Sequence, residues 1–293
     1  MRKLKAGIID KLIETKATGA EIDFILWLSH HQNEEGKVRG VYYKDVAADL
    51  HISYQTFYNV KKSMAEKQII EVSKDSRFYD DWEIRILDND FSGEELQPGK
   101  PTENYLNTGL DVFYSQEFYA MKANEKLMTM LYIKIAGAGS PNYHIGTERF
   151  FEKYTALLCV TKRTLQNYLT GIRRWFSIGI KDRTYWINPL RKKVYRENGR
   201  SDKSERAGQI AGNLCRRFRL EEAGKAYRVI KSLAEQYTYK VRADLEPALM
   251  EALQAHLIHI NGSVLSRRWR RRRINEKYLH QLFLERLPEG AYA

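Results

Sequence analysis

The sequence is short of the residues that would fix a secreted, metal-bound or membrane-spanning fold. Only two cysteines occur in 293 residues. Cys159 and Cys215 lie far apart and match no zinc or redox spacing, which excludes a disulfide framework; both are expected as small buried apolar residues in a reducing cytoplasm. The seven histidines are scattered. His256 and His259 share an expected helix but have no carboxylate or thiol ligand beside them, so no metal site is expected. There is no glycine-rich phosphate loop ending in lysine, which removes ATP-driven chemistry of that kind. No apolar run approaches the length of a membrane span, and the start, Met1-Arg-Lys-Leu-Lys5, lacks the apolar core of a signal peptide. The chain reads as a soluble intracellular protein with no catalytic residue, no cofactor, no evident small-molecule ligand and no membrane partner.

What is present is apolar surface for real cores and an excess of cations. Hydrophobic residues make up 43%, the net charge is +12 and the isoelectric point is about 9.5. That balance points to a polyanionic partner, nucleic acid ahead of membrane. Length leaves room for two or three domains. Two breaks divide it. Asp88–Asn104 contains Gln97-Pro-Gly-Lys-Pro101, which can continue neither helix nor central strand. Arg191–Glu205 is strongly charged, contains Asn198-Gly199 and has no apolar periodicity. The expected organisation is residues 1–88, a linker at 89–104, a second unit at 105–195, and a helical domain at 196–293.

The two units repeat. Residues Tyr42–Ile70 and Phe150–Ile178 align without a gap at an offset of 108 residues. Leu50 falls on Leu158, Ile52 on Val160, Ser53 on Thr161, Thr56 on Thr164, Asn59 on Asn167, Met64 on Ile172 and Ile70 on Ile178. Identities are few, but the apolar positions and the helix cap coincide, and each stretch reads as a helix-turn-helix. In the first, Ala20–His31 is an expected helix, Gln32–Arg39 a polar loop, and Gly40-Val41 a short strand. Tyr43–Leu50 is the supporting helix, Ser53 the cap, and Tyr54–Lys67 the reading helix. Ile69–Ser73 and Trp82–Leu87 then flank a charged loop. In the second, the order is Asn124–Ile135, a loop at Ala136–Tyr143, Phe150–Leu158, the cap Thr161, Lys162–Trp175, and a hairpin turning at Asp182-Arg183.

With Phe57, Val60 and Met64 inward, the first reading helix presents Tyr54, Gln55, Tyr58, Asn59 and Lys62. With Leu165, Leu169 and Ile172 inward, the second presents Lys162, Arg163, Gln166, Asn167 and Thr170. Arginine pairs bidentately with guanine, and asparagine or glutamine with adenine, so these are candidate base-reading side chains. Lys61, Lys62, Arg173, Arg174, Lys181 and Arg183 are candidate phosphate contacts. No acidic residue occurs from Tyr54 through Ala65 or from Cys159 through Ile180, whereas a helix that only faces solvent ordinarily mixes both signs. The alternative for each unit is a helix-turn-helix used for protein–protein contact.

Beyond the second break, Ala207, Ile210, Ala211, Leu214, Cys215 and Phe218 fall at helical spacing, as do Tyr227, Ile230, Leu233, Ala234 and Tyr237. Leu245, Leu249, Leu253, Leu257 and Ile260 define a third helix, stopped by Asn261-Gly262. A last helix is expected from after Ser263 towards Leu287. It carries the densest charge in the chain, Arg267, Arg268, Arg270, Arg271, Arg272 and Arg273 around Trp269. This block is expected to contact a nucleic-acid backbone, the alternatives being a solvated face or an assembly surface. Arg2, Lys3 and Lys5 are read as a second basic arm. The block's Tyr278 does not bring the arginine and histidine spacing of a recombinase.

The run Ile52-Ser-Tyr-Gln-Thr-Phe-Tyr-Asn-Val-Lys-Lys-Ser-Met-Ala-Glu-Lys-Gln-Ile-Ile70 resembles the helix-turn-helix of bacterial winged-helix regulators, with Gln68 in place of their usual glycine and Lys61 in place of a usual core residue. The resemblance covers Ala20–Leu87. Tandem units on a basic chain also resemble plasmid replication initiators, and Phe113–Tyr132 is similar to the opening of initiator proteins from Gram-positive plasmids and phages. These resemblances imply a mainly α fold with small β-wings, in which two tandem winged helix-turn-helix domains precede an α-helical C-terminal domain. They imply a cytoplasmic, nucleoid-associated protein whose partner is double-stranded DNA, with self-association through the C-terminal helices as a further expectation. The expected role is transcription regulation. The alternatives are origin recognition by a replication initiator and a nucleoprotein assembly adaptor.

Overall fold

The computed structural model describes residues 2–74, 81–92, 104–137, 142–194, 202–221, 224–238, 240–241, 244–262 and 271–288. The protein is mainly helical, with three small antiparallel sheets among the described residues. The chain opens with strand β1 (Lys3–Lys5) and helix α1 (Ala6–Glu14), which buries Ile8, Ile9, Leu12 and Ile13. Helix α2 (Gly19–His31) begins at a reciprocal cap. The Thr18 hydroxyl accepts from the Glu21 amide at 3.3 Å while the Glu21 carboxylate accepts from the Thr18 amide at 2.6 Å, satisfying two donors that helix geometry leaves open.

Strand β2 (Lys37–Tyr42), helices α3 (Tyr43–Leu50) and α4 (Tyr54–Glu66), and strands β3 (Ile70–Lys74) and β4 (Asp81–Ile86) follow. The sheet order is β2-β4-β3. After β5 (Tyr105–Asn107) and the short helix α5 (Gln116–Tyr119), the same succession returns. It comprises α6 (Ala123–Gly137), β6 (Tyr143–Gly146), α7 (Thr147–Leu158), α8 (Lys162–Ile172), β7 (Phe176–Lys181) and β8 (Thr184–Pro189), in sheet order β6-β8-β7. The 108-residue offset persists in detail. His51 and Cys159 end α3 and α7 in the left-handed region at φ 53° and 51°. Ser53 and Thr161 then accept from the amides of Thr56 and Thr164 at 3.1 and 3.2 Å.

Both units share one core, which draws on residues from Leu4 to Val194. Helix α6 packs on α1 and α2, and across that contact the ammonium of Lys126, 1% exposed, sits 2.6 Å from the Asp23 carboxylate. Burial raises the Asp23 pKa, and the Lys126 partner opposes that rise. After the short helix α9 (Arg191–Val194), helices α10 (Asp202–Phe218), α11 (Lys225–Tyr237), α12 (Leu245–Asn261) and α13 (Glu276–Leu284) enclose a second core.

Helix α10 lies along β2. Gly40 has φ +68°, and a Cβ there would meet the Arg217 Cβ at 3.0 Å, so this approach needs glycine. At the same seam the Arg39 guanidinium faces Glu83 at 3.5 Å, Asp244 at 3.4 Å and Glu246 at 3.6 Å.

Several sequence expectations change. The basic arm is absent as such, because Lys3–Lys5 pairs antiparallel with Tyr105–Asn107. That pairing buries Leu4 and lays the Lys3 ammonium 4.6 Å from the Tyr105 ring centre. Asn89, expected in an open linker, is fully buried and donates to Gln32 Oε1 at 2.6 Å. The loop expected at Gln32–Arg39 gives way to β2 from Lys37 onward, and α8 stops at Ile172 rather than Trp175. Cys215 is buried, but Cys159 is exposed because it occupies the left-handed end of α7. No helix among the described residues is long and apolar enough to cross a membrane.

Candidate nucleic-acid interface

The turns before α4 and α8 are closed by the same chemistry. A hydroxyl at the cap accepts the third helical amide and also contacts the hydroxyl three residues on, Ser53 with Thr56 and Thr161 with Thr164, at 2.9 Å in both. Behind each cap, apolar side chains hold the helix down: Phe57, Val60 and Met64 under α4, and Leu165, Tyr168, Leu169 and Ile172 under α8. Helical periodicity then forces the intervening residues outward.

On α8 that outward set matches the sequence expectation throughout. Lys162, Arg163, Gln166, Asn167 and Thr170 are exposed, and Arg173, Arg174, Lys181 and Arg183 join them from the helix end and the hairpin. The hairpin turns through Asp182 and Arg183 at φ 49° and 56°. Two consecutive left-handed residues make the tight connection whose twist suits antiparallel strands. Arg174 is steadied by donation from its Nε to the Gly171 carbonyl at 3.2 Å. Trp186, 39% exposed, stacks on His144 with ring centres 5.2 Å apart.

The α4 face differs in kind. Gln55 and Asn59 are exposed and bonded to each other, Gln55 Nε2 donating to Asn59 Oδ1 at 2.9 Å, so the two amides are held as one unit. Tyr54, 54% exposed, stands between Tyr43 and Tyr58 with ring centres 4.8 and 4.5 Å away. Tyr58 is half-buried in that row. Lys62 is exposed and lies 3.8 Å from Glu66, the first acid beyond the acid-free run.

Lys61 is not a phosphate contact. It is 7% exposed, and its ammonium lies 3.0 Å from the Trp82 ring centre and 4.6 Å from that of Tyr58. Burial, with the nearby Lys74 charge, pulls its pKa down to about 8. The helical period places residue 61 next to Val60 on the inner side, and the aromatic faces supply the attraction that water would otherwise give. The absence of acids along the helix does not separate this lysine from Lys62; its register against Phe57 and Met64 does.

Of the arginine block, Arg271, Arg272 and Arg273 are exposed and non-helical, whereas Arg267, Arg268 and Arg270 lie outside the described residues. Among the described residues of this region, helix begins at Glu276, where Asn275 caps it through acceptance from the Tyr278 amide at 3.3 Å. The preceding segment is pinned instead. The Asn261 side-chain amide exchanges two hydrogen bonds with the Arg271 backbone, at 2.8 and 3.0 Å, and His256 Nε2 accepts from the Asn275 amide at 3.1 Å. The charged loop between β3 and β4 falls on residues 75–80, outside the described residues.

No protein family matches the chain, and no curated protein or solved structure matches it.

Proposed function

We propose that the protein is a sequence-specific double-stranded DNA-binding protein built on two tandem winged helix-turn-helix units. The observation that carries this reading is the α8 surface. Nine side chains able to donate to bases or phosphates, from Lys162 to Arg183, are all exposed on one helix and its adjoining hairpin. Arg163, Gln166 and Asn167 are the base readers there; Lys162, Thr170, Arg173, Arg174, Lys181 and Arg183 are the backbone contacts. In the first unit, Gln55 with Asn59 form an amide pair suited to adenine, and Tyr54 and Lys62 flank it. Arg271, Arg272 and Arg273 add sequence-independent affinity.

Since α2 and α6 belong to one core, one chain carries two unlike readers in a fixed relation. Paired helix-turn-helix units sit about 34–36 Å apart when they occupy successive major grooves. The biological use assigned first is transcription regulation in the bacterial cytoplasm. The fusion of two unlike readers in one chain favours, as a second reading, a replication initiator that occupies each origin repeat as a monomer. Selection of bound sequences from a random duplex pool, followed by footprinting, tests the proposal. The expected result is a protected tract of about 20 bp with two unlike half-sites. Enrichment of no sequence over the random pool refutes specific binding, and protection of a single short half-site refutes the two-reader geometry.

A further inference from the structure

The sheet of the second unit has an outer face unlike that of the first. In β8 the strand period turns Tyr185 and Ile187 into the core and leaves Trp186 on the other side. Strand pairing sets His144 of β6 and Gly179 of β7 on either side of Trp186, and all three are exposed. In the first unit the same pairing sets Lys37 and Glu71 on either side of Arg85, and Glu71 and Gly179 stand at the 108-residue offset. Opposite charges facing across strands suit a sheet surface turned to water. The second unit has an aromatic pair and a glycine there. No acid occurs in β6, β7 or β8, Asp182 lying in the turn between the last two.

The fold does not account for Gly179. Its φ is not positive, β7 pairs with β8 without a break from Phe176 to Lys181, so there is no bulge, and a Cβ at 179 would meet nothing within 4 Å. A glycine inside a strand weakens it, and apart from bulges and bends it marks the close approach of a ligand or another backbone. The space it leaves adjoins Trp186. The His144 and Trp186 rings are stacked, with centres 5.2 Å and planes 26° apart, close to the spacing of about 4.7–4.9 Å between neighbouring strands. With His144 on the β6 side of the indole, a third flat ring over Gly179 would continue the stack across the sheet. Lys181, exposed on the same outer face, follows about 7 Å along β7.

We propose that this sheet face binds single-stranded DNA, one unpaired base stacking on Trp186 over Gly179 and its phosphate resting on Lys181. An aromatic side chain accepts any base by its flat face, and a surface free of acids with a cation beside it suits the strand's phosphates. The choice of DNA rests on the duplex reading of α8, whose adjoining hairpin includes Lys181; the stacking site does not.

Fluorescence anisotropy of the full chain with a labelled oligothymidine of about 12 nucleotides tests the site, beside an abasic strand of the same length. The expected result is saturable binding that is stronger for the strand with bases. Trp186→Ala should weaken it about tenfold, the loss of one stacked base, and Trp186→Phe should weaken it less. Gly179→Val fills the space beside the indole and should weaken binding similarly, yet leave the melting temperature unchanged or higher, because a β-branched residue suits a strand. Arg85→Ala, at the corresponding place in the first sheet, should leave single-strand binding unchanged. Absence of saturable binding, or equal binding of the abasic strand, overturns the proposal. So does a lower melting temperature for Gly179→Val, since the fold itself then requires the glycine. Tighter binding of oligouridine overturns the choice of DNA. Self-association that Trp186→Ala abolishes, without single-strand binding, makes the face a protein contact and overturns the proposal. Duplex binding measured in parallel keeps the two readings apart: its failure alone refutes the α8 reading, and failure of single-strand binding alone refutes this one.

Discussion

The seam between β2 and the helical region should make the protein lose stability as pH rises towards neutrality. Glu246 is 2% exposed and faces Arg39 from β2, Asp244 from the turn before its own helix, and Arg217 and Asn213 from α10; Glu83 of β4 shares Arg39. Burial pushes its carboxyl up to about 7, Arg39 opposes that rise, and Asp244 reinforces it. An acid whose pKa is higher folded than unfolded binds more protons in the folded state. Its contribution is therefore complete below the ordinary value of 4.5 and is lost as pH rises through about 7. The gap corresponds to about 3 kcal/mol as an upper figure. Urea unfolding at pH 5 and pH 8, for the wild type and Glu246→Gln, measures the difference. His30, whose burial draws its pKa down to about 3, acts in the opposite direction by destabilising the fold in acid. It is common to both proteins and cancels in the comparison. The wild type should lose about 2–3 kcal/mol more than the variant between the two pH values. Parallel pH profiles would refute the assignment of Glu246 as the group responsible.

The same geometry sets four other outcomes. Arg163→Ala should relax preference at one base-pair position and cost about 1–3 kcal/mol in specific binding; an equal loss on random duplex makes Arg163 a phosphate contact only. Ser53→Ala and Thr161→Ala should each lower stability in thermal melts by about 1 kcal/mol, and by similar amounts because the two caps match; a cost confined to one of them contradicts the equivalence. Lys61→Met should raise the melting temperature near pH 7 and leave the salt dependence of DNA binding unchanged, since that ammonium is caged rather than presented. Joint replacement of Arg271, Arg272 and Arg273 by serine should reduce the log–log salt slope by at least about two, each lost phosphate contact removing about 0.9; a change below about one assigns the segment elsewhere.

Much of the helical frame was legible because local signals agree with the packing. Ser53 and Thr161 announce α4 and α8, and the spacing of Ala207 through Phe218 announces α10, since cap chemistry and a 3.6-residue period act over short range. What escaped was set by distant partners. The three residues of β1 acquire their strand only from Tyr105–Asn107, and nothing local to Lys3 signals that pairing. The prolines of the Asp88–Asn104 stretch signal a linker, while Asn89 answers to Gln32 and to the backbone of Lys3 and Lys5. For the site, the exposed face of α8 was readable from its amphipathic period. The burial of Lys61 depends on Trp82, a residue of β4 that no local period links to α4.

The shared core has a consequence for how the proposed readers would meet a double helix. With Asp23 of α2 and Lys126 of α6 locked together inside it, the two proposed readers would have no swivel between them, and their separation would become a quantity the protein measures. B-form DNA turns about once per 10–10.5 bp, so one base pair inserted between half-sites rotates the second away by about a tenth of a turn. A chain jointed by a loose tether would absorb that rotation. If the proposed duplex reading holds, this one would have to twist the DNA or release one half-site, and spacer length would then be read as strictly as any base.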